Sequence, residues 1–246
     1  MIIPPGYSLF VQDMQHSSRL LAPCLGALRG QRLFLTGCTA FIGKWLIDTL
    51  LWLNEAHSLD LHLYILVRRQ NYFLHDMPHL LGHNGATLLY GDITSFDASS
   101  LPDFTYAIHA ANFANDGSPQ WAARHMRVAT LGTERLYQLA AERCCRAILF
   151  TSSGAVYGTK VIGNCDNGRL YEEAQPLILN EPRVYSETKR FLELYAAALG
   201  QTYNINTVLA RCFAFSGAHV GFKGNALSSF MADALVKGGN LDIDRI

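Results

Sequence analysis

The chain has 246 residues, of which half are hydrophobic and 16% are charged, so it can bury a substantial core and is not intrinsically disordered. Lysine plus arginine and aspartate plus glutamate number 20 each. This balance argues against nucleic acid or an anionic membrane as a partner and favours a small molecule. The six cysteines form no CxxC pair and the nine histidines show no metal-ligand spacing, so we expect reduced thiols and no metal site. Without a signal-peptide pattern, a cytoplasmic protein is expected.

Apolar strands alternate with helices after an N-terminal extension of residues 1–30, in which one short helix is expected within 13–28 around Pro23. Strands are predicted at 32–36, 61–67, 87–90, 104–109, 147–151 and 205–209, and helices at 41–53, 120–142, 186–199 and 225–236, with a further strand starting at 241–243. Continuous apolar strands separated by helices predict an α/β fold. We expect one Rossmann-like domain over residues 31–246, a doubly wound parallel sheet with helices on both faces.

A glycine-bearing turn, Thr36–Gly43 (TGCTAFIG), joins the first strand to the first helix of this domain. Glycines in such a turn permit close approach of a pyrophosphate, and the helix N-terminus supplies N–H groups and a positive dipole end. The usual pattern is T-G-x-x-G-x-x-G, and Ala40 replaces its middle glycine. We expect the Ala40 methyl group to crowd the phosphates or to require a different loop. The alternative is a plain strand–turn–helix that holds no ligand.

The end of the second strand bears on the choice between NAD and NADP. A carboxylate there binds the adenosine ribose of NAD, whereas an arginine pairs with the 2′-phosphate of NADP. This chain has Arg68 and Arg69 at that point, which favours NADP, although both arginines could simply be solvated. Asp92, after the third strand, is placed to meet the adenine amino group, or is an ordinary turn residue.

Three residues in the second half of the chain suit hydride-transfer chemistry. Tyr185 and Lys189 are one helical turn apart, so the ammonium can favour the phenolate and let the tyrosine exchange a proton. Ser153, at the end of the fifth strand, can hydrogen-bond a carbonyl or alcohol oxygen. A serine-rich loop, a core tyrosine and a surface lysine would be the structural alternative. His109 is expected to be a packed strand-end residue and not a base.

Seven segments occur in an order that resembles the extended short-chain dehydrogenase/reductase superfamily, and within it the NAD-dependent epimerase/dehydratase family acting on nucleotide sugars. They are TGCTAFIG (36–43), GDI (91–93), HAAN (109–112), LGT (131–133), TSSGAVYG (151–158), YSETK (185–189) and RCFAFSG (211–217). The resemblance implies that Ser153, Tyr185 and Lys189 are the catalytic residues. It also implies that NAD or NADP is bound by Gly37, Thr39, Ala40, Phe41, Ile42, Gly43, Arg68, Asp92, Ile93, Ala110 and Ala111, together with Tyr185 and Lys189.

Departures from the family pattern narrow the expected reaction. Ala129 and Ala214 stand where the family often has asparagines, and Ala218 where it has a proline. The sugar dehydratases typically carry an Asp–Glu pair after the catalytic Ser or Thr, and Gly154–Ala155 occupy that place here. This argues against 4,6-dehydration and leaves epimerisation, keto-sugar reduction or decarboxylation.

The expected function is therefore an NAD(P)-dependent nucleoside-diphosphate-sugar epimerase or keto-sugar reductase. A reductase of another carbonyl substrate in the same superfamily, or an NAD(P)-binding sensor or scaffold without turnover, are the alternatives. The resemblance further implies that most of a C-terminal substrate region is missing from this chain. It also implies a possible homodimer through helix 186–199, whose apolar side chains could instead be buried within the monomer.

Overall fold

A six-stranded parallel sheet forms the centre of the molecule. The computed structural model describes residues 8–112, 117–157 and 181–215, together with residues 217 and 219. The strands are β1 (Arg32–Thr36), β2 (His62–Val67), β3 (Ala86–Tyr90), β4 (Tyr106–His109), β5 (Ala147–Ser153) and β6 (Asn206–Cys212). Their order across the sheet is β3-β2-β1-β4-β5-β6, and all pairs are parallel. The predicted doubly wound fold is confirmed, and the strand order reverses between β1 and β4, where ligands bind in such sheets.

Six α-helices accompany the sheet in the described residues. They are α1 (Ser8–Leu21), α2 (Leu25–Leu28), α3 (Phe41–His57), α4 (Gln70–Asp76), α5 (Trp121–Glu142) and α6 (Glu181–Tyr203), with 3-10 turns at 22–24, 78–80, 98–100 and 154–157. Helix α6 extends beyond the predicted range 186–199 at both ends, and α4 was not predicted. None of the helices in these ranges is long and apolar enough to cross a membrane. The predicted helix 225–236 and strand 241–243 lie outside the described residues.

Alternate residues of the strands belong to two separate hydrophobic cores, one on each face of the sheet. Phe34 of β1 belongs to the core under α5 and α6, which also contains Tyr137 and Phe150. Its neighbour Leu35 belongs to the core under α3, together with Ile47. Because neighbouring side chains of a strand point to opposite faces, continuous apolar strands are required when helices cover both faces.

Residues 8–28 pack onto α3 and differ from the single helix predicted around Pro23. Helix α1 ends at Leu21, and Pro23 lies in the first turn of the 3-10 segment that follows. Proline lacks an N–H and fixes its own φ, so it starts a helical segment instead of continuing one. Met14 of α1 is completely buried, and the ring of Phe10 lies 5.5 Å from that of Trp45 on α3.

Helix α6 has apolar side chains on a buried face and on an exposed face. Leu192 is buried in the core, whereas Phe191 and Leu194 are 46% and 74% exposed. The rings of Phe191 and Tyr195 stack on the outside at 5.4 Å. Burial within the monomer therefore accounts for Leu192, and a homodimer contact through the exposed face remains a proposal.

Candidate active site

The glycine turn after β1 is pressed against the end of β4. Gly37 has a φ of +73°, and a Cβ added there would lie 2.1 Å from the backbone nitrogen of Ala111. A Cβ on Gly43 would lie 2.1 Å from the Cα of Cys38, so α3 packs directly on the turn that precedes it. Both positions therefore require glycine, for reasons that the nucleotide-binding pattern predicts.

The N-terminus of α3 is not capped by its own side chains. Ala40 is the N-cap residue, has no side-chain hydrogen bond to the helix, and no acidic residue lies in the first turn. The first N–H groups of a helix lack partners within the helix and carry a partial positive charge, which suits a phosphate. Ala40 has a φ of −103°, which any residue adopts, so it introduces no backbone strain. Its expected crowding of the phosphates stays a prediction.

A cleft of about 240 Å³ opens where the strand order reverses. Eight of the eleven residues predicted to bind the dinucleotide through the turn and strand ends line it: Gly37, Thr39, Ala40, Arg68, Asp92, Ile93, Ala110 and Ala111. The same cleft is also lined by residues that were not predicted as cofactor ligands, namely Thr36, Leu66, Gly91, His109, Asn112, Val128, Ala129 and Gly132. Val128, Ala129 and Gly132 belong to α5, which is distant from the turn in sequence and reaches the cleft only in the folded protein.

Three of the predicted cofactor residues at the turn do not line this cleft, and neither do Tyr185 and Lys189. The side chains of Phe41 and Ile42 line a separate apolar cleft of about 430 Å³, which is also lined by Trp45 and Phe215. Gly43 is buried against the turn. Any contribution of these three residues to cofactor binding therefore comes from their backbone N–H groups at the start of α3 or from packing.

Two opposite charges face each other in the cleft. The Arg68 guanidinium lies 3.6 Å from the Asp92 carboxylate, and their side chains are 54% and 35% exposed. Asp92 also accepts hydrogen bonds from the backbone N–H and the hydroxyl of Thr94, at 3.0 and 2.8 Å. The ion pair places a cation within the cleft and fixes the carboxylate at the end of β3.

Lys44, in the first turn of α3, is not a solvated surface residue. It is buried on α3 and pairs with Asp76, whose pKa is lowered chiefly by the hydrogen bond from Lys44. One turn further along the helix, the buried Asp48 bonds Nε2 of His79 at 2.9 Å and Nε2 of His219 at 3.0 Å. These side chains tie two distant segments to α3, and no group of three possible metal ligands occurs among the described residues.

His109 is a buried structural residue between the turn and β5. Its Nδ1 lies 2.6 Å from the Thr36 hydroxyl, and its Nε2 lies 3.5 Å from the Thr133 hydroxyl. Burial, together with the nearby charge of Lys189, lowers the pKa of His109 to about 3. The imidazole is therefore neutral at physiological pH, in agreement with the expected packed residue.

Lys189 is a buried amine that points toward the carboxyl end of β5. Its Nζ donates to the backbone oxygen of Thr151 at 2.9 Å and lies 5.8 Å from the centre of the Tyr185 ring. Burial lowers the pKa of Lys189 to about 8, although the charges of Cys212 and Glu193 oppose the shift. At neutral pH the amine is thus still largely protonated and close to the phenol.

Ser153 and Tyr185 lie at the same edge of the sheet as Lys189. Ser153 ends β5, and its hydroxyl accepts the N–H of Ala155 at 3.1 Å. The ring of Tyr185 lies 6.0 Å from that of His125 on α5, which contacts Trp121 at 5.0 Å. His125 was not singled out from the sequence, because a histidine within an amphipathic helix carries no local signal of its partner. The catalytic roles of Ser153, Tyr185 and Lys189 remain predictions.

The fold is shared with solved enzymes that act on nucleotide sugars. A UDP-N-acetylglucosamine 4-epimerase from Methanobrevibacter ruminantium M1, in complex with UDP-N-acetylmuramic acid, matches with a TM-score of 0.65 at 21% identity, covering 86% of this chain and 64% of that one. A UDP-glucuronic acid 4-epimerase from Bacillus cereus in complex with NAD matches with a TM-score of 0.65 at 20% identity (84% and 63%). A dTDP-glucose 4,6-dehydratase from Streptomyces venezuelae, with NAD bound, matches with a TM-score of 0.64 at 23% identity (85% and 63%).

These likenesses establish the fold, and the chain spans somewhat less than two thirds of the length of each of these proteins. No curated protein matches the chain significantly. A family model, in contrast, matches residues 33–243, which include the glycine turn, the cleft and the edge that carries Ser153, Tyr185 and Lys189. The chain therefore belongs to the NAD dependent epimerase/dehydratase family.

Proposed function

We propose that the protein is an NAD(P)-dependent epimerase or keto-sugar reductase of a nucleoside-diphosphate sugar, with Tyr185 as the acid/base. The observation that carries the proposal is the position of the buried Lys189 ammonium. Its Nζ donates to the Thr151 carbonyl at 2.9 Å and lies 5.8 Å from the centre of the Tyr185 ring. A cation held beside the phenol stabilises negative charge that develops on its oxygen during proton transfer. It lies at the same sheet edge as the turn that can hold a dinucleotide.

The residues suit proton movement at a carbinol or carbonyl oxygen. The nicotinamide, when bound, supplies the hydride donor or acceptor. Tyr185 takes the proton from a hydroxyl group as hydride leaves its carbon, or returns it to the alkoxide when hydride arrives. Ser153 hydrogen-bonds that oxygen, and Lys189 stabilises the phenolate form of Tyr185.

The turn after Ser153 favours epimerisation or reduction over dehydration. Residues Gly154–Tyr157 form a 3-10 turn with the sequence GAVY, which contains no carboxyl group. Loss of water from a sugar requires an acid and a base in addition to the tyrosine, and this turn supplies neither. A reductase of another carbonyl substrate uses the same three residues, and a panel of substrates separates the two.

Activity in the full-length protein tests the proposal. Turnover is measured with a panel of UDP- and dTDP-hexoses in the presence of NAD or NADP. We expect Tyr185→Phe to lower turnover at least about 100-fold while leaving cofactor binding nearly intact. Tyr195→Phe, on the same helix with its ring against Phe191, is the matched control and should retain activity. Equal turnover in Tyr185→Phe and the unaltered protein would remove Tyr185 from the mechanism, and cofactor binding without turnover of any substrate would favour the sensor.

The cofactor preference is proposed to be NADP, although the family is named for NAD. The support is Arg68, whose guanidinium lies in the cleft, and the lack of a carboxylate at the end of β2. We expect NADP to raise the melting temperature more than NAD does. Arg68→Ala should weaken NADP binding roughly 10- to 100-fold and NAD binding little, because only NADP carries the 2′-phosphate. Arg146→Ala, exposed at the start of β5, is the control, and a larger shift with NAD would reverse the preference.

A further inference from the structure

Two arginines hold the turn that follows Ser153 against α6. Nε of Arg190 on α6 donates to the backbone oxygen of Val156 at 2.6 Å. Nη1 of Arg211, at the end of β6, donates to the hydroxyl of Tyr157 at 2.8 Å. The turn 154–157 is thus bonded from two sides, and it begins directly after the serine.

Arg211 is itself fixed to α6 by a two-point ion pair. Its Nε and Nη2 lie 2.9 and 2.7 Å from the two carboxylate oxygens of Glu193, whose side chain is only 11% exposed. A bidentate pair of this kind sets the plane of the guanidinium as well as its distance. The guanidinium carbon also lies 4.9 Å from the centre of the Tyr157 ring. One side chain therefore joins α6, β6 and the turn.

The position of Glu193 connects this pair to the proposed catalytic amine. Glu193 follows Lys189 by one helical turn, and its charge raises the pKa of Lys189 against the larger effect of burial. Burial raises the pKa of Glu193 itself, but hydrogen bonds, foremost that from Arg211, bring it below its ordinary value. Arg211 thus keeps Glu193 ionised and in place beside the segment that carries Tyr185 and Lys189.

We propose that Arg211 is a positioning residue for hydride transfer. This proposal rests on the proposed function. It holds the Ser153 turn at a fixed place relative to the Tyr185 phenol, through Tyr157 on one side and Glu193 on the other. A serine that drifts from the reacting oxygen weakens the transition state more than it weakens cofactor binding. The effect of losing Arg211 therefore falls on kcat and not on cofactor affinity.

Graded variants of this contact test the proposal in the full-length protein. Tyr157→Phe removes only the hydroxyl that Arg211 bonds, Arg211→Lys keeps the charge without the two-point pair, and Arg211→Met removes both. We expect kcat to fall about 10-fold in the first two and about 100-fold in the third. The cofactor Kd should stay within about twofold of that of the unaltered protein. Arg19→Met, on the exposed end of α1, is the control and should change neither value.

Melting temperature and Tyr185→Phe, measured in parallel, separate the possible outcomes. A kcat loss in folded Tyr157→Phe with an unchanged melting temperature supports positioning, since a purely structural role would lower stability and the folded fraction instead. An unchanged kcat in Tyr157→Phe and Arg211→Lys, with Tyr185→Phe inactive, overturns the proposal for Arg211 and leaves the proposed function standing. Full activity in Tyr185→Phe overturns both.

Discussion

The two ends of the candidate site are built by different means. At the glycine turn, position is set by the lack of side-chain atoms, because a Cβ on Gly37 or Gly43 would lie 2.1 Å from backbone or Cα atoms. At the β5–α6 edge, position is set by charged side chains, among them the buried Lys189 and the Glu193–Arg211 pair. The first region should therefore be sensitive chiefly to added volume, and the second chiefly to the loss of a charge.

Substitution of Gly37 should have the largest effect. Gly37→Ala adds a methyl group where there is no space and where φ is +73°, so we expect a loss of roughly 3–5 kcal/mol in the free energy of unfolding and no detectable cofactor binding. Gly82→Ala is the matched control, since Gly82 has a φ of +71° but nothing within 4 Å of an added Cβ. It should lose only about 1–2 kcal/mol. Chemical denaturation measures both, and equal losses would show that strain in φ, not space, limits the turn.

His109 lies between the two regions and should make the fold sensitive to acid. Its pKa is about 3 in the folded protein and near its ordinary 6.5 in the unfolded chain, so the unfolded state binds more protons between these values. The stability associated with the neutral imidazole is present above pH 6.5 and is lost as the pH falls toward 3, by about 4 kcal/mol at pH 3.5. His109→Gln should flatten this part of the stability–pH curve. An identical slope in the variant would contradict the buried, neutral imidazole.

Replacing Lys189 should raise stability while it abolishes activity. In the folded protein its pKa of about 8 lies below the ordinary 10.5, so burial of the charge costs stability below pH 8 and the penalty is relieved as the pH rises from 8 toward 10.5. Lys189→Met should therefore increase stability at pH 7 by roughly 1–2 kcal/mol while abolishing turnover. Denaturation curves at pH 7 and pH 10 measure the difference, which should shrink at the higher pH. A variant less stable at pH 7 would show that the bond to Thr151 outweighs the burial of charge.

Ala40→Gly should have the smallest effect. Ala40 is exposed and has an extended φ, so restoring the glycine of the usual pattern relieves no strain within the protein. Stability should fall by less than about 1 kcal/mol, from the added freedom of the unfolded chain. Cofactor affinity, measured by calorimetry, should rise by no more than about threefold, because one exposed methyl group crowds the phosphates only slightly. A much larger gain in affinity would show that the methyl group is a major obstacle to the phosphates.

The sequence predicted the sheet well because most strands contain a continuous apolar run, as Leu33–Leu35 and Leu63–Val67 show, although β6 also carries Thr207 and Arg211. Helix α4 was missed because it has only seven residues and begins after Arg69, which provides no N-cap signal. The partners of Lys44 and Arg211 were missed for another reason. Asp76 and Tyr157 are distant in sequence, and only the packing of separate elements brings these charges and hydroxyls together.

The contact of Trp121 with His125, and of His125 with Tyr185, provides the site with a built-in optical probe. Trp121 is 6% exposed, and its indole is one ring removed from the phenol proposed to react. Indole emission responds to the polarity and charge of its immediate surroundings. Exchanging the other two tryptophans, Trp45 and Trp52, for phenylalanine would leave a single fluorophore that follows events beside Tyr185 in real time, without any label attached to the protein.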